Sequence, residues 1–336
     1  MNAEAGAALG PWLRDRLGMT GEPEIQPIAG GQSNPTWFVT MGGRRLVLRK
    51  QPPGPLLKGA HAIDREYRIQ KALAGTPVPV PQMVAWCDDA SVLGTPFYLM
   101  ERLDGRVWHE TAMPGAEPAE RRAMYLSVAR TMAAMHSLDP EAVGLETFGR
   151  PGNYFARQVA RWGGQWQQAQ SRGIPELDAL HDRLAARIPP DDGLVAIAHG
   201  DFRIGNIMFA PDRPEVIAVL DWELSTLGHP MADLGFFCMC WRARQDEYGG
   251  LADLDWPALG IPTKAEFLSE YMTHSRHRVE LAPFHEAFAL FRFAVIFVGI
   301  ADRALQGNAA GDAAGDSMRL ATAFARHGLE AAREAG

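Results

Sequence analysis

At Asp104 the pattern of the chain changes, and one layered core does not accommodate both sides of the change. Before it, β-rich runs alternate with breaks. "TWFVTM" and "RRLVLRK" flank Gly42-Gly43, a two-residue hairpin signal. "QMVAWCD" and "PFYLMERL" read as two more strands, and "DGR" as the turn that follows. One helix interrupts them. "AHAIDREYRIQKALAG" has helical spacing, with Ile63, Tyr67 and Leu73 as expected core contacts. Gly75 stands near its end, and Pro77, Pro79 and Pro81 prevent its continuation. Residues 5–17 suit a short amphipathic helix, and "QPPGPLLKG" a loop. After Asp104, "PAERRAMYLSVARTMAAMHSL" is helical, as are most segments over 154–187 and from Lys264 onward. A chain of 336 residues also exceeds what one compact core usually holds. The expectation is an α+β protein with a small β-rich lobe over 1–102 and a larger helical lobe over 103–336.

Short strands are the exception in the second part, and they bracket one loop. "LVAIAH" and "NIMFA" enclose it, and "EVIAVLD" follows. Within "HGDFRIGNIMF", residues 199–209, Asp201 precedes Asn206 by five positions, and Asp221 ends the third strand. An Asp–Asn pair alone is also ordinary turn chemistry, since both side chains bond nearby backbone. Together with His199, Gly200 and Asp221, the pattern suits phosphoryl transfer. One carboxylate orients an acceptor hydroxyl and takes its proton. A second carboxylate and an amide oxygen hold Mg²⁺ against the phosphates. D-x-x-x-x-N followed by strand, aspartate and turn is the kinase arrangement.

Composition narrows the alternatives. The net charge of −7 argues against nucleic acid as a partner, which would favour a basic stripe. Cys87, Cys238 and Cys240 make neither a disulfide framework nor a zinc site, so a reducing cytoplasm is the expected compartment. The first residues lack a basic start followed by an apolar core, so no signal peptide is expected. The most apolar segment, Phe288 to Leu305, is interrupted by Arg292 and reads as a core helix, with no membrane partner.

The residues quoted above resemble the aminoglycoside phosphotransferase and choline kinase-like family, which carries H-G-D-x-x-x-x-N where protein kinases have H-R-D. "LRKQPPGPLLKGAHAIDREYRIQKAL" and "HGDFRIGNIMF…VLDWELSTLGHPMADLG" are most similar to the branch that includes kinase-like domains fused to some acyl-CoA dehydrogenases. The resemblance runs from about Ile25 to the end of the chain. It implies a bilobal protein-kinase-like fold that uses ATP and Mg²⁺ to phosphorylate a hydroxyl of a small molecule. By the same resemblance, Asp201 is the catalytic base, and Asn206 and Asp221 bind Mg²⁺. His199 holds the loop, and Asp233 braces it from the helix of "GHPMADLG". Gly31, Gln32, Ser33 and Asn34, after Gly30, form the hairpin over the phosphates. Glu66 pairs with the basic residue of the third strand. The backbone of Glu101 and Leu103 meets adenine.

The sequence departs from the family pattern at three places. The hairpin lacks a full G-x-G-x-x-G. "DWE" replaces D-F-G. "LVLRK" offers both Arg49 and Lys50 where a lysine is usual, and neighbours on a strand face opposite sides. The framing V-L-R favours Arg49. The acceptor is expected between the loop and the carboxy-terminal helices, near Arg203, Trp241, Arg242 and Arg292. Basic residues there, with Arg244, would suit a hydroxyacyl compound such as a coenzyme A thioester, or a hydroxy acid, better than a polycationic aminoglycoside. Three other readings are an antibiotic kinase, a kinase-like binding module without catalysis, and a metallohydrolase. The last would use His199, Asp201, His229 and Asp233. His136 and Trp241 also read as packing residues.

Overall fold

The computed structural model describes residues 3–28, 34–54, 62–171, 173–305 and 312–334. Its first part is a five-stranded antiparallel sheet of β1 (Glu24–Pro27), β2 (Thr36–Met41), β3 (Arg44–Lys50), β4 (Met83–Cys87) and β5 (Phe97–Glu101). The spatial order is β1-β2-β3-β5-β4. Gly42 and Gly43 turn the β2–β3 hairpin with φ of 55° and 79°, the left-handed pair such a turn needs. A Cβ on Gly42 would stand 2.7 Å from the Thr20 carbonyl oxygen.

Alternation along β3 sorts its side chains onto two faces. Leu46 and Leu48 pack with Leu9 and Leu13 of α1 (Ala3–Leu17) and with Phe97 and Leu99. Val47 and Arg49 face the other way, toward α2 (Ile63–Leu73). Tyr67, an expected core contact of α2, is only partly buried; its ring lies against Trp86 and Tyr98. Ile63, Glu66, Ile69, Gln70 and Leu73 form the buried face instead. Ile69 and Leu73 join the core of the second part, so α2 couples the two. The short α3 (Ala90–Leu93) precedes β5.

Past Glu101 the chain enters the helical part. It contains α4 (Pro118–Ser137), α5 (Tyr154–Gln168), α6 (Pro175–Ala186), α7 (Pro230–Cys238), α8 (Trp256–Leu259), α9 (Lys264–His274), α10 (Pro283–Arg303) and α11 (Asp312–Arg333). Two small antiparallel sheets sit among them. One joins β6 (Arg106–Val107), β8 (Ile207–Phe209) and β9 (Val216–Val219); the other joins β7 (Ala196–Ala198) and β10 (Thr226–Gly228). The sequence reading missed β6 and β10. Each is at most three residues long and is formed by pairing across the fold, not by any local pattern.

Helix α10 runs through Arg292, where the sequence reading broke the apolar run. It is long and apolar enough to cross a membrane, yet 83% of its most apolar window is buried inside the protein. Arg292 is tolerated there because its guanidinium donates to the Gly200 carbonyl. Phe288, Leu290 and Phe291 are fully or almost fully buried. Burying side chains of this size contributes about 1.5–3 kcal/mol each.

Candidate active site

Strand β7 is buried along its length and delivers His199 into the protein. The loop that follows is fixed by Asp233, one turn into α7. Its two carboxylate oxygens accept the His199 N–H at 2.6 Å and the Gly200 N–H at 2.8 Å. Burial alone would raise the Asp233 carboxyl. Hydrogen bonds from His136 and Gly200, with the nearby histidines, outweigh burial and hold it below the usual range. His199 closes the loop from within. Its Nε2–H donates to the Leu220 carbonyl at 2.9 Å, and its Nδ1 accepts the Asp201 N–H at 3.2 Å. Its ring packs 4.7 Å from Trp222, the central residue of "DWE". Gly200 has φ of 83°, and a Cβ there would lie 2.6 Å from the Leu224 carbonyl oxygen. Only glycine fits.

These constraints leave Asp201 half-buried. The Asn206 amide nitrogen donates to Asp201 twice, to Oδ2 at 2.8 Å and to the carbonyl at 2.9 Å. That fixes the Asn206 amide, so its Oδ1 points away from Asp201. The Leu220 N–H donates to the Asn206 carbonyl at 2.8 Å, tying the loop to the end of β9. There the chain turns through Asp221, whose φ of 64° is left-handed.

Arg49 crosses from β3 to this turn. Its Nε donates to Glu66 at 2.9 Å and its Nη2 to Asp221 at 2.7 Å, with Glu223 at 4.0 Å. Burial opposes the Arg49 charge, but Glu66, the Tyr98 hydroxyl, Asp221 and Glu223 outweigh it and hold the group protonated. Burial pushes the Glu66 carboxyl up to about 7, against the pull of Arg49. Glu66 is therefore a buried partner and not a solvated helix charge. Lys50, one residue on, alternates to the face of Leu46 and Leu48 and does not join this cluster. Sequence reasoning missed Glu223. An acid two positions after Asp221 in "DWE" was the available signal.

Other sequence-predicted residues are placed as follows. Gly31, Gln32 and Ser33 lie outside the described residues; Asn34 is described and buried. The Glu101 N–H donates to the Gln82 carbonyl at 2.9 Å, and its Oε1 accepts from the Gln82 N–H. Leu103 follows, half-buried, where β5 leaves the sheet. Arg203 sits with its Nε 3.4 Å from Asp201 Oδ2 and lines a cavity of about 300 Å³ beside the loop. Phe236, Met239, Ala243, Tyr248 and Phe324 make much of the rest of that wall.

Three expected acceptor residues do not line this cavity. Trp241 is buried in an aromatic cluster with Tyr125, Phe237 and Phe267, its indole N–H on the Pro262 carbonyl. Arg242 is held on both edges, by Glu286 at 2.6 Å and by both oxygens of Glu334. Arg292 lies behind the loop, on the Gly200 carbonyl. Arg244 is exposed and stands 3.5 Å from both Asp246 and Asp253. Carboxylates already neutralise both Arg242 and Arg244, so neither presents a free cation to an acceptor.

The histidines of the metallohydrolase reading are committed elsewhere. His229 accepts the Met231 N–H and pairs with Asp192 at 3.1 Å. His136, the packing residue, is buried between the Tyr271 hydroxyl and Asp233. Among the described residues, no three His, Cys, Asp or Glu side chains converge as a metal cluster. The oxygens of Asn206 and Asp221 are the hard donors that suit Mg²⁺, which takes one or two protein ligands and completes its shell with water and phosphate.

Residues 24–266 match the model of the phosphotransferase enzyme family. Acyl-CoA dehydrogenase family member 10 of Mus musculus is 40% identical over 334 residues, covering 98% of this chain and 31% of that protein. Acyl-CoA dehydrogenase family member 11 of Gallus gallus is 40% identical over 316 residues, covering 92% of this chain and 40% of that protein. The chain thus spans well under half the length of these relatives. A crystal structure of a candidate aminoglycoside phosphotransferase from Ralstonia eutropha superposes with a TM-score of 0.90, at 43% identity and 98% coverage of both chains. An aminoglycoside phosphotransferase in ternary complex with AMP-PNP and hygromycin B shares the fold, with a TM-score of 0.62 at 15% identity, covering 95% of this chain and 98% of that one.

Proposed function

This chain belongs to the phosphotransferase enzyme family, and from that premise we propose that it transfers the γ-phosphoryl group of ATP to a hydroxyacyl compound carried as a coenzyme A thioester. One observation carries the reading. The Asp201 carboxylate, fixed by Asn206, lies 3.4 Å from Arg203, which lines a largely apolar cavity. In this reading the Asp201 carboxylate accepts the proton of the acceptor hydroxyl and aligns its oxygen for in-line attack. Residues 1–102 hold the nucleotide, with adenine against the Glu101 carbonyl and the Leu103 backbone. Residues 103–336 hold the acceptor. Asn206 Oδ1 and the Asp221 carboxylate would hold Mg²⁺, which would supply neutralisation of phosphate charge. Arg49 would serve where a lysine is usual: its Nη2 donates to Asp221, and the rest of its fork of donors would meet the phosphates. His199 and Asp233 keep the loop in shape.

The cavity is what favours an acyl chain over an aminoglycoside. A polycation needs carboxylates around it. The cavity offers Glu110 and Glu247, and Glu247 is already held by His327 and Arg326. Relatives that continue beyond this chain carry acyl-CoA dehydrogenase names, which suits an acceptor on an acyl chain. The test is a side-by-side assay of hydroxyacyl thioesters, their free acids and kanamycin-type drugs with ATP and Mg²⁺. Thioesters are expected to be phosphorylated. Phosphorylation of the drugs alone would restore the antibiotic-kinase reading.

A second prediction concerns the metal. Asp221→Ala is expected to weaken binding of Mg²⁺–ATP at least about ten-fold more than binding of metal-free ATP, a charge-assisted contact being worth roughly 1.5–3 kcal/mol. Calorimetry with and without Mg²⁺ measures both. Equal losses would remove Asp221 from the metal site.

A further inference from the structure

Tyr248 is a bulky aromatic residue with a left-handed φ of 63°, a conformation that glycine or asparagine adopts far more readily. The surrounding chain enforces it. Glu247, just before, is buried and accepts the Arg244 N–H at 3.0 Å, His327 Nε2 at 2.7 Å and Arg326 at 3.2 Å. Gly249, just after, has φ of 71°. A Cβ on Gly250 would collide with the Ala243 carbonyl oxygen at 2.1 Å. Backbone bonds from Gly250 to Arg244, Leu251 to Cys240 and Ala252 to Ala243 lock the turn to the segment that follows α7. A turn this constrained would accept a smaller residue with less strain, so the ring itself calls for a reason.

Its position supplies one. The ring stands edge-on to Phe293 and Phe297 of α10, at 5.0 and 5.5 Å, yet Tyr248 remains 46% exposed. It lines the same cavity as Arg203, whose guanidinium lies 5.9 Å from the ring centroid. Arg203 in turn lies beside Asp201. We propose that Tyr248 is the specificity-determining residue of the acceptor cavity, an aromatic wall that selects acceptors with long apolar chains. The inference rests on the acceptor reading above and extends it to chain length. The Glu247–His327 pair from α11 sets where that wall stands.

The test uses the whole chain with Tyr248→Ala and Tyr248→Phe. Phosphorylation of hydroxyhexanoyl and hydroxydodecanoyl thioesters of coenzyme A is measured, with binding of dansyl-undecanoic acid followed by fluorescence without ATP. Tyr248→Ala is expected to raise KM for the dodecanoyl acceptor about ten-fold more than KM for the hexanoyl acceptor, with kcat moving less than KM. Losing about 55 Å² of apolar contact is enough for such a change. Tyr248→Phe keeps the wall and should retain the chain-length preference. Dansyl-undecanoic acid should bind Tyr248→Ala about ten-fold more weakly than wild type. A loss equal at both chain lengths would mark Tyr248 as a packing residue and overturn the inference. So would probe binding that is the same in wild type and Tyr248→Ala, or absent in wild type. If the probe depends on Tyr248 but no hydroxyacyl thioester is phosphorylated, the apolar-chain site stands and the acceptor reading fails.

Discussion

Asp201→Asn is expected to lower turnover by about 10²–10⁴-fold, the range for a removed acid–base group, with nucleotide affinity nearly intact. The substitution is nearly isosteric, so the loop keeps its shape. The Arg49–Glu66 and Arg49–Asp221 pairs do not involve Asp201 and remain in place. What changes is the proton. An amide does not accept it from the acceptor hydroxyl, and the Asn206 donors at 2.8 and 2.9 Å have only an amide oxygen and a carbonyl to meet. Steady-state kinetics with an identified acceptor, alongside calorimetry with ATP, separates the two effects. Turnover near that of wild type would remove Asp201 from the chemistry.

Asp233→Ala is expected to act on the fold before it acts on turnover. It strips the acceptor from two buried backbone donors, His199 N–H at 2.6 Å and Gly200 N–H at 2.8 Å, and from His136. Unsatisfied buried groups cost about 1–3 kcal/mol each, so a total of about 3–5 kcal/mol is expected. For a chain of 336 residues that lowers Tm by about 4–7 °C. The pH dependence has a definite sign. The Asp233 carboxyl sits below its usual range in the folded protein, so its contribution is fully present above about pH 4 and is lost as pH falls through the folded value. The difference between wild type and Asp233→Ala should therefore shrink in acid. Calorimetry from neutral to acid pH measures it; a shift under about 2 °C at neutral pH would contradict the bracing role.

The parts of this molecule legible in its sequence are those encoded by local pattern. The β2–β3 hairpin follows from Gly42-Gly43, and the loop at 199–209 from fixed spacing between apolar runs. Arg49, and not Lys50, meets Glu66 because strand alternation admits only one of two neighbours. What was illegible depends on partners distant in sequence. Glu286 and Glu334, which hold Arg242, lie 44 and 92 residues on, so no local pattern encodes either pair. For Trp241 the sequence supports both a packing and a cleft reading, and the packing one holds, since α9 and α4 enclose it. Tyr248 gave no sequence signal, because its left-handed backbone is imposed by Glu247, His327 and the two glycines after it.

Phosphorus NMR of the protein with ATP, Mg²⁺ and a long-chain hydroxyacyl thioester tests the proposed transfer most directly. A base at Asp201 beside an apolar acceptor cavity predicts a new phosphomonoester resonance that grows in step with ADP, and no such resonance with Asp201→Asn. ATP left unconsumed, ADP accompanied only by inorganic phosphate, or the same ester formed by Asp201→Asn would contradict it.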